Sequence, residues 1–73
     1  MDEQRLKEFL ILRDAEFRKL YEEHQNQDEK LKTYEAKSHL SEAERLEERE
    51  IKKTKLALKD RMYRMMADYR KSL

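Results

Sequence analysis

Apolar side chains recur every three or four residues in two long stretches of the chain, which is the period of one helix face. In residues 2–37, a heptad frame places apolar or aromatic side chains at Leu6, Leu10, Phe17, Leu20, Leu31 and Tyr34. In residues 42–72, the corresponding seam is Ile51, Lys55, Leu58, Met62, Met65 and Tyr69. Each stretch therefore predicts one long amphipathic helix.

The periodicity resets between the two stretches, over residues 38–41. Ser41 and Glu44 have the spacing of a capping box, in which the serine hydroxyl accepts from the glutamate amide and the glutamate carboxylate accepts from the serine amide. We therefore predict a turn over residues 38–41 and a second helix that begins at about Glu42. The alternative is one continuous helix through this segment.

A short connection between two long helices makes them antiparallel neighbours. The predicted fold is therefore all-α: an antiparallel two-helix hairpin with coiled-coil-like packing, forming one domain over residues 1–73. Residues whose numbers sum to about 79 lie opposite each other in this hairpin. Most apolar side chains then gather at the end far from the turn, which we call the distal end. The residues predicted for the core and interface there are Leu6, Phe9, Leu10, Phe17, Leu20, Tyr21, Leu58, Met62, Met65, Met66 and Tyr69.

Two helices alone bury only one stripe each, so an isolated hairpin of this length should be marginally stable. Pairing two hairpins through the distal end, as a four-helix bundle, would cover Phe9, Leu12, Tyr63 and Met66. We therefore expect the chain to form a homodimer or to dock on another helical protein through this end.

The composition agrees with a helical protein. The chain has no glycine, proline or cysteine, and 48 % of its residues are charged. High charge also describes disordered chains, but a net charge of +1 and regular apolar spacing favour helices.

The lack of cysteine excludes disulfides. No apolar run approaches the ~20 residues of a membrane span. We expect a cytoplasmic protein with no membrane partner.

Two motifs together are more specific than either alone. The first is Phe17-x-x-Leu20-x-x-x-His24 followed by Asp28, and the second is the run KLALKD at residues 55–60. Over roughly residues 9–66, the chain resembles the YdcH-like family of small uncharacterised bacterial proteins. The resemblance implies a helical hairpin with coiled-coil association. It implies no catalytic or ligand-binding residues.

His24 and Asp28 lie four residues apart on one helix face, which raises the question of a metal or catalytic site. A metal needs three or four ligands, and His39 at the turn is the one other histidine. We therefore predict a polar interhelical layer of His24, Asp28 and Lys55, which can set helix register. No phosphate-binding loop or nucleophile motif is present. We expect no enzyme activity, no metal or other cofactor and no small-molecule substrate.

Charge is segregated along the chain. Residues 14–50 hold 7 basic and 12 acidic residues, and residues 51–73 hold 8 basic and 2 acidic ones. The two helices can complement each other across the hairpin. Alternatively, a basic face of the second helix meets nucleic acid, using Lys52, Lys53, Lys59, Arg61 and Arg64. A protein-interaction module is the leading hypothesis, and a nucleic-acid-binding protein is the alternative.

Overall fold

The computed structural model describes residues 2–73, and within that range it contains three α-helices and no strand. The helices are α1 (Glu3–Arg13), α2 (Ala15–Glu35) and α3 (Glu42–Ser72). Helices α2 and α3 pack against each other, and α1 contacts both of them. The all-α prediction is confirmed, but the two-helix description is incomplete because a third helix packs on the hairpin.

The prediction of one helix over residues 2–37 is wrong at Asp14. The backbone there is extended, with φ −117° and ψ 111°, and the Asp14 side chain accepts from the Phe17 amide at 3.0 Å. The Asp14 amide in turn donates to the Leu10 carbonyl at 2.8 Å. A short carboxylate can cap a new helix in this way and so competes with continuation of the old one. Asp14 therefore ends α1 and begins α2.

Arg18 of α2 also stabilises the bend at Asp14, through hydrogen bonds to the end of α1. Its Nε donates to the Ile11 carbonyl at 2.7 Å, and its Nη2 donates to the Leu12 carbonyl at 3.0 Å. The last carbonyls of a helix have no partner within that helix. A side chain of α2 thus satisfies carbonyls at the end of α1.

The predicted turn and second helix agree closely with the structure. Helix α2 ends at Glu35, two residues before the predicted end, and α3 has the predicted bounds of 42 and 72. The capping box is present: the Glu44 amide donates to Ser41 Oγ at 3.1 Å, and the Ser41 amide donates to Glu44 Oε1 at 3.0 Å. The alternative of one helix through residues 38–41 is therefore wrong.

Cross-helix pairs give the register of the antiparallel helices. Lys55 Nζ lies 2.6 Å from Asp28 Oδ1, and Arg61 Nη2 lies 3.3 Å from Glu16 Oε1. These residue numbers sum to 83 and 77, on either side of the predicted 79. The acidic α2 and the basic α3 therefore do complement each other along the hairpin.

The core is concentrated at the distal end, where three helices meet. Away from that cluster, the buried apolar residues are Leu31 and Ile51. Near the turn, the contacts are polar instead: the Tyr34 hydroxyl donates to the Glu47 carboxylate, and Lys37 donates to Glu44. The two ends of the hairpin therefore differ in how they are held together.

Candidate functional site

The distal end predicted as an interface is largely covered by the chain's own α1. Leu6 of α1 is 0 % exposed, and Met66 of α3 is 2 % exposed. Phe9 packs on Tyr69 with ring centroids 5.5 Å apart. Seven of the predicted residues are buried in one cluster, and four are partly buried against it: Leu6, Leu10, Phe17, Leu20, Leu58, Met62 and Met66; then Phe9, Tyr21, Met65 and Tyr69. Pairing with another chain is not needed to bury Met66.

The residues predicted for the polar layer lie together between α2 and α3. Asp28 accepts from Lys55 at 2.6 Å and pairs with Lys32 at 3.3 Å. The hydrogen bond from Lys55 is the main cause that lowers the pKa of Asp28. Partial burial and the positive charge of Lys55 lower the pKa of His24, while Asp28 acts in the opposite direction. His24 therefore stays mostly neutral at pH 7.

The five basic residues suggested for nucleic acid do not form one face of α3. Lys59 and Arg61 lie roughly 200° apart around the helix at 100° per residue, and Arg61 is turned toward Glu16 of α2. Lys52 lies 3.9 Å from Glu48, and Lys53 lies 3.8 Å from Glu50. Carboxylates therefore pair with three of the five residues: Lys52, Lys53 and Arg61.

A small cleft of about 80 Å³ lies where the three helices meet. Lys7 of α1 and Lys59 of α3 supply its positive charges. Among residues 2–73, the ion pairs of the structure use neither of these two lysines. The remaining lining residues are Tyr21, His24, Gln25, Met62, Tyr63 and Met66.

An exposed stripe with heptad spacing runs along α3 beside this cleft. Its members follow one another at intervals of four and three residues, with buried Met66 at the one position that is not exposed. We call this set the basic stripe: Arg45, Arg49, Lys52, Leu56, Lys59, Tyr63 and Arg70. Leu56 is 60 % exposed and Tyr63 is 43 % exposed. Lys59 and Tyr63 belong to both the stripe and the cleft.

The basic stripe could be predicted from the sequence, because its spacing of four and three residues is the same pattern that predicts the core seam. The sequence predicts that a second hairpin covers Tyr63, but in the structure Tyr63 and Leu56 both lie exposed beside the seam. The cleft carried no such signal. Lys7 reaches it from a helix whose position depends on the bend at Asp14.

No group of three histidine, aspartate or glutamate side chains within residues 2–73 is placed to hold a metal ion. None of the helices in the described part of the chain combines the length and apolar character that crossing a bilayer requires.

The model of one protein family, described as a protein of unknown function (DUF465), matches residues 17–66. The matched range begins in the first turn of α2 and extends through most of α3, so α1 lies outside it. No curated protein and no solved structure matches the chain.

Proposed function

The chain belongs to the YdcH-like family (DUF465) of small uncharacterised bacterial proteins, and from that premise, which defines no activity, we propose that it is a non-enzymatic interaction module. In this proposal, it binds another helical protein along the basic stripe of α3. The distal end contributes stability rather than a docking surface, because α1 already covers its core.

The observation that carries the proposal is the alignment of Leu56 and Tyr63. Single exposed apolar residues are ordinary on protein surfaces. These two, however, are one heptad apart on one face, which corresponds to about 10.5 Å along the helix axis. Partner helices present their apolar side chains at this interval in coiled coils and helix-in-groove complexes. The pair therefore offers two anchors for a partner helix.

Charge disfavours a second copy of the chain as the occupant of the stripe. Five of its seven members are cationic: Arg45, Arg49, Lys52, Lys59 and Arg70. Lys52 is the one of these whose side chain pairs with a carboxylate among residues 2–73. If two stripes met, like charges would face each other at an interface, which costs binding energy. A different protein is the occupant that avoids this repulsion.

Site-specific photo-crosslinking in host cells tests the proposal. A benzophenone amino acid at position 56 or 63 should give a discrete adduct with one helical protein, which mass spectrometry identifies. The matched control is the same amino acid at Leu12, which is 76 % exposed but lies on α1. Equal adducts from position 12, or no adduct from positions 56 and 63, would contradict the proposal. An adduct with RNA or DNA would favour the nucleic-acid alternative.

A further inference from the structure

We infer that the cleft at the junction of the three helices binds a carboxylate side chain, and that the partner is therefore an acidic amphipathic helix. This inference rests on the proposed function, because it specifies the chemistry of the helix that lies on the basic stripe. The argument uses the charges around the cleft, its size and its position beside Leu56 and Tyr63.

The cleft has positive charge that no ion pair among residues 2–73 neutralises. Lys7 and Lys59 enter it from two different helices. Asp28 is the carboxylate that acts on neighbouring His24. It is already bonded to Lys55 and Lys32, at 2.6 and 3.3 Å. An anion in the cleft would therefore meet two lysines without competing with an internal carboxylate.

The uncharged groups and the volume also suit a carboxylate. Gln25, His24 and the two tyrosines, Tyr21 and Tyr63, bring amide, imidazole and hydroxyl groups that can donate hydrogen bonds. The cleft is small, at about 80 Å³, and it admits the end of a glutamate or aspartate side chain.

The position of the cleft links it to the apolar anchors. Because Lys59 and Tyr63 border both the cleft and the stripe, a helix lying on Leu56 and Tyr63 would carry neighbouring side chains to the mouth of the cleft. Among residues 2–73, the exposed large apolar side chains are Leu12, Leu46, Leu56, Tyr63 and Leu73. None lies on the acidic α2, so a second copy has no acidic helix with an exposed large apolar side chain to offer.

Peptide binding measured by fluorescence polarisation tests the inference. One helical peptide carries leucines one heptad apart with glutamates on the flanks, and its matched control carries glutamines instead. We expect the acidic peptide to bind the full chain at least tenfold more tightly than the glutamine peptide. Lys7→Gln and Lys59→Gln should each weaken binding of the acidic peptide about tenfold, since one charge-assisted hydrogen bond is worth about that factor. Lys53 lies on α3 but outside the stripe and the cleft, so Lys53→Gln should leave the affinity unchanged.

Lys7→Gln is the decisive variant because Lys7 lies on α1, away from the stripe. General attraction to a basic helix would survive its loss, whereas a cleft-bound carboxylate would not. NMR titration of His24 provides a second readout. Lys7, Asp28, Lys55 and Lys59 already act on His24, and an added carboxylate should raise its pKa. The glutamine peptide should leave that pKa where it is.

The outcomes separate the two proposals. If both peptides bind equally and Leu56→Gln weakens both, the interaction module stands and the carboxylate site is refuted. If the acidic peptide binds but Lys7→Gln has no effect, the cleft is also refuted. If neither peptide binds, the acidic partner is wrong, while crosslinking from position 56 still decides the module itself. Tighter binding to a DNA duplex, weakened by Lys59→Gln, would overturn both. Circular dichroism confirms that each variant is folded.

Discussion

Two carboxylates, Asp14 and Glu44, show how single side chains shape this chain at the residue scale. Asp14 caps α2 and directs the chain into a bend, because its oxygen occupies the Phe17 amide that a continuous helix would use. Glu44 completes the capping box at the start of α3 and also accepts from Lys37. Because the chain has no glycine or proline, polar side-chain caps such as these end and begin its helices.

Asp14→Ala should destabilise the protein by about 1 kcal/mol, the usual cost of losing an N-cap. Urea unfolding followed by circular dichroism measures the change. Asp14→Asn is the matched control, because asparagine caps helices about as well as aspartate, and it should be close to wild type. Equal stability of Asp14→Ala and wild type would show that the cap does not hold the bend.

Glu44 should contribute to the loss of stability in acid. The hydrogen bond from Lys37, followed by that from the Ser41 amide, lowers the pKa of Glu44 from 4.5 to about 2. A carboxylate with a lowered folded pKa adds stability above its unfolded pKa, and this is lost as the pH falls through the folded value. The affected window is therefore about pH 4.5 to 2.

Thermal unfolding of Glu44→Gln between pH 7 and 2 checks this. The variant should lose less stability across the acid window than wild type. Glu22→Gln, at an exposed position of α2, serves as the control and should keep the wild-type slope. If Glu44→Gln also keeps that slope, the ion pair with Lys37 does not act in solution.

At the element scale, α1 is the helix that turns a hairpin into a three-helix core. Its buried side, formed by Leu6 and Leu10, packs on the distal cluster, whereas Leu12 points into solvent. This one-sided burial explains why the distal end needs no second chain to cover Met66. It also means that the stability of the core depends on α1 staying docked.

Leu6→Ala should destabilise the protein by about 2–5 kcal/mol, as expected for emptying a fully buried leucine site. Leu12→Ala is the matched control on the same helix and should change stability by less than about 0.5 kcal/mol. Chemical denaturation measures both. Similar effects for the two variants would indicate that α1 is detached in solution.

Sequence patterns were informative for α2 and α3 but not for the bend between α1 and α2. The start of α3 was predictable because the capping box coincides with a reset of periodicity. At Asp14 no reset occurs: Leu10 and Phe17 are one heptad apart, which is the spacing of a continuous helix, and both are buried in the bent structure. The cleft could not be predicted either, because the position of Lys7 beside it depends on the bend at Asp14.

At the scale of the whole molecule, the chain is an elongated body of 48 × 20 × 16 Å with one well-covered end. Its free apolar side chains lie mainly along α3, among cations. Under the proposed function, the partner would lie along this stripe and not on the distal end that the sequence predicts. A charged stripe with two apolar anchors suits a partner of opposite charge better than a second copy.

Sedimentation equilibrium should show a particle with the mass of one chain across a range of concentrations, at both low and high salt. The reason is that α1 covers the distal core and that two basic stripes repel each other. A dimer that persists in high salt would contradict this expectation and would support the distal end as the dimer interface. A dimer that dissolves in high salt would instead implicate the segregated charges.

The uneven core has a consequence for hydrogen exchange along α3. This helix is one continuous ladder of backbone hydrogen bonds, yet its tertiary support changes from polar contacts near the turn to a three-helix core beyond Leu58. Since opening energies follow local packing, amides at residues 58–66 should exchange slowly and those at residues 45–50 quickly. Exchange followed by NMR measures each amide, and uniform protection along α3 would show that the hairpin opens as a single unit.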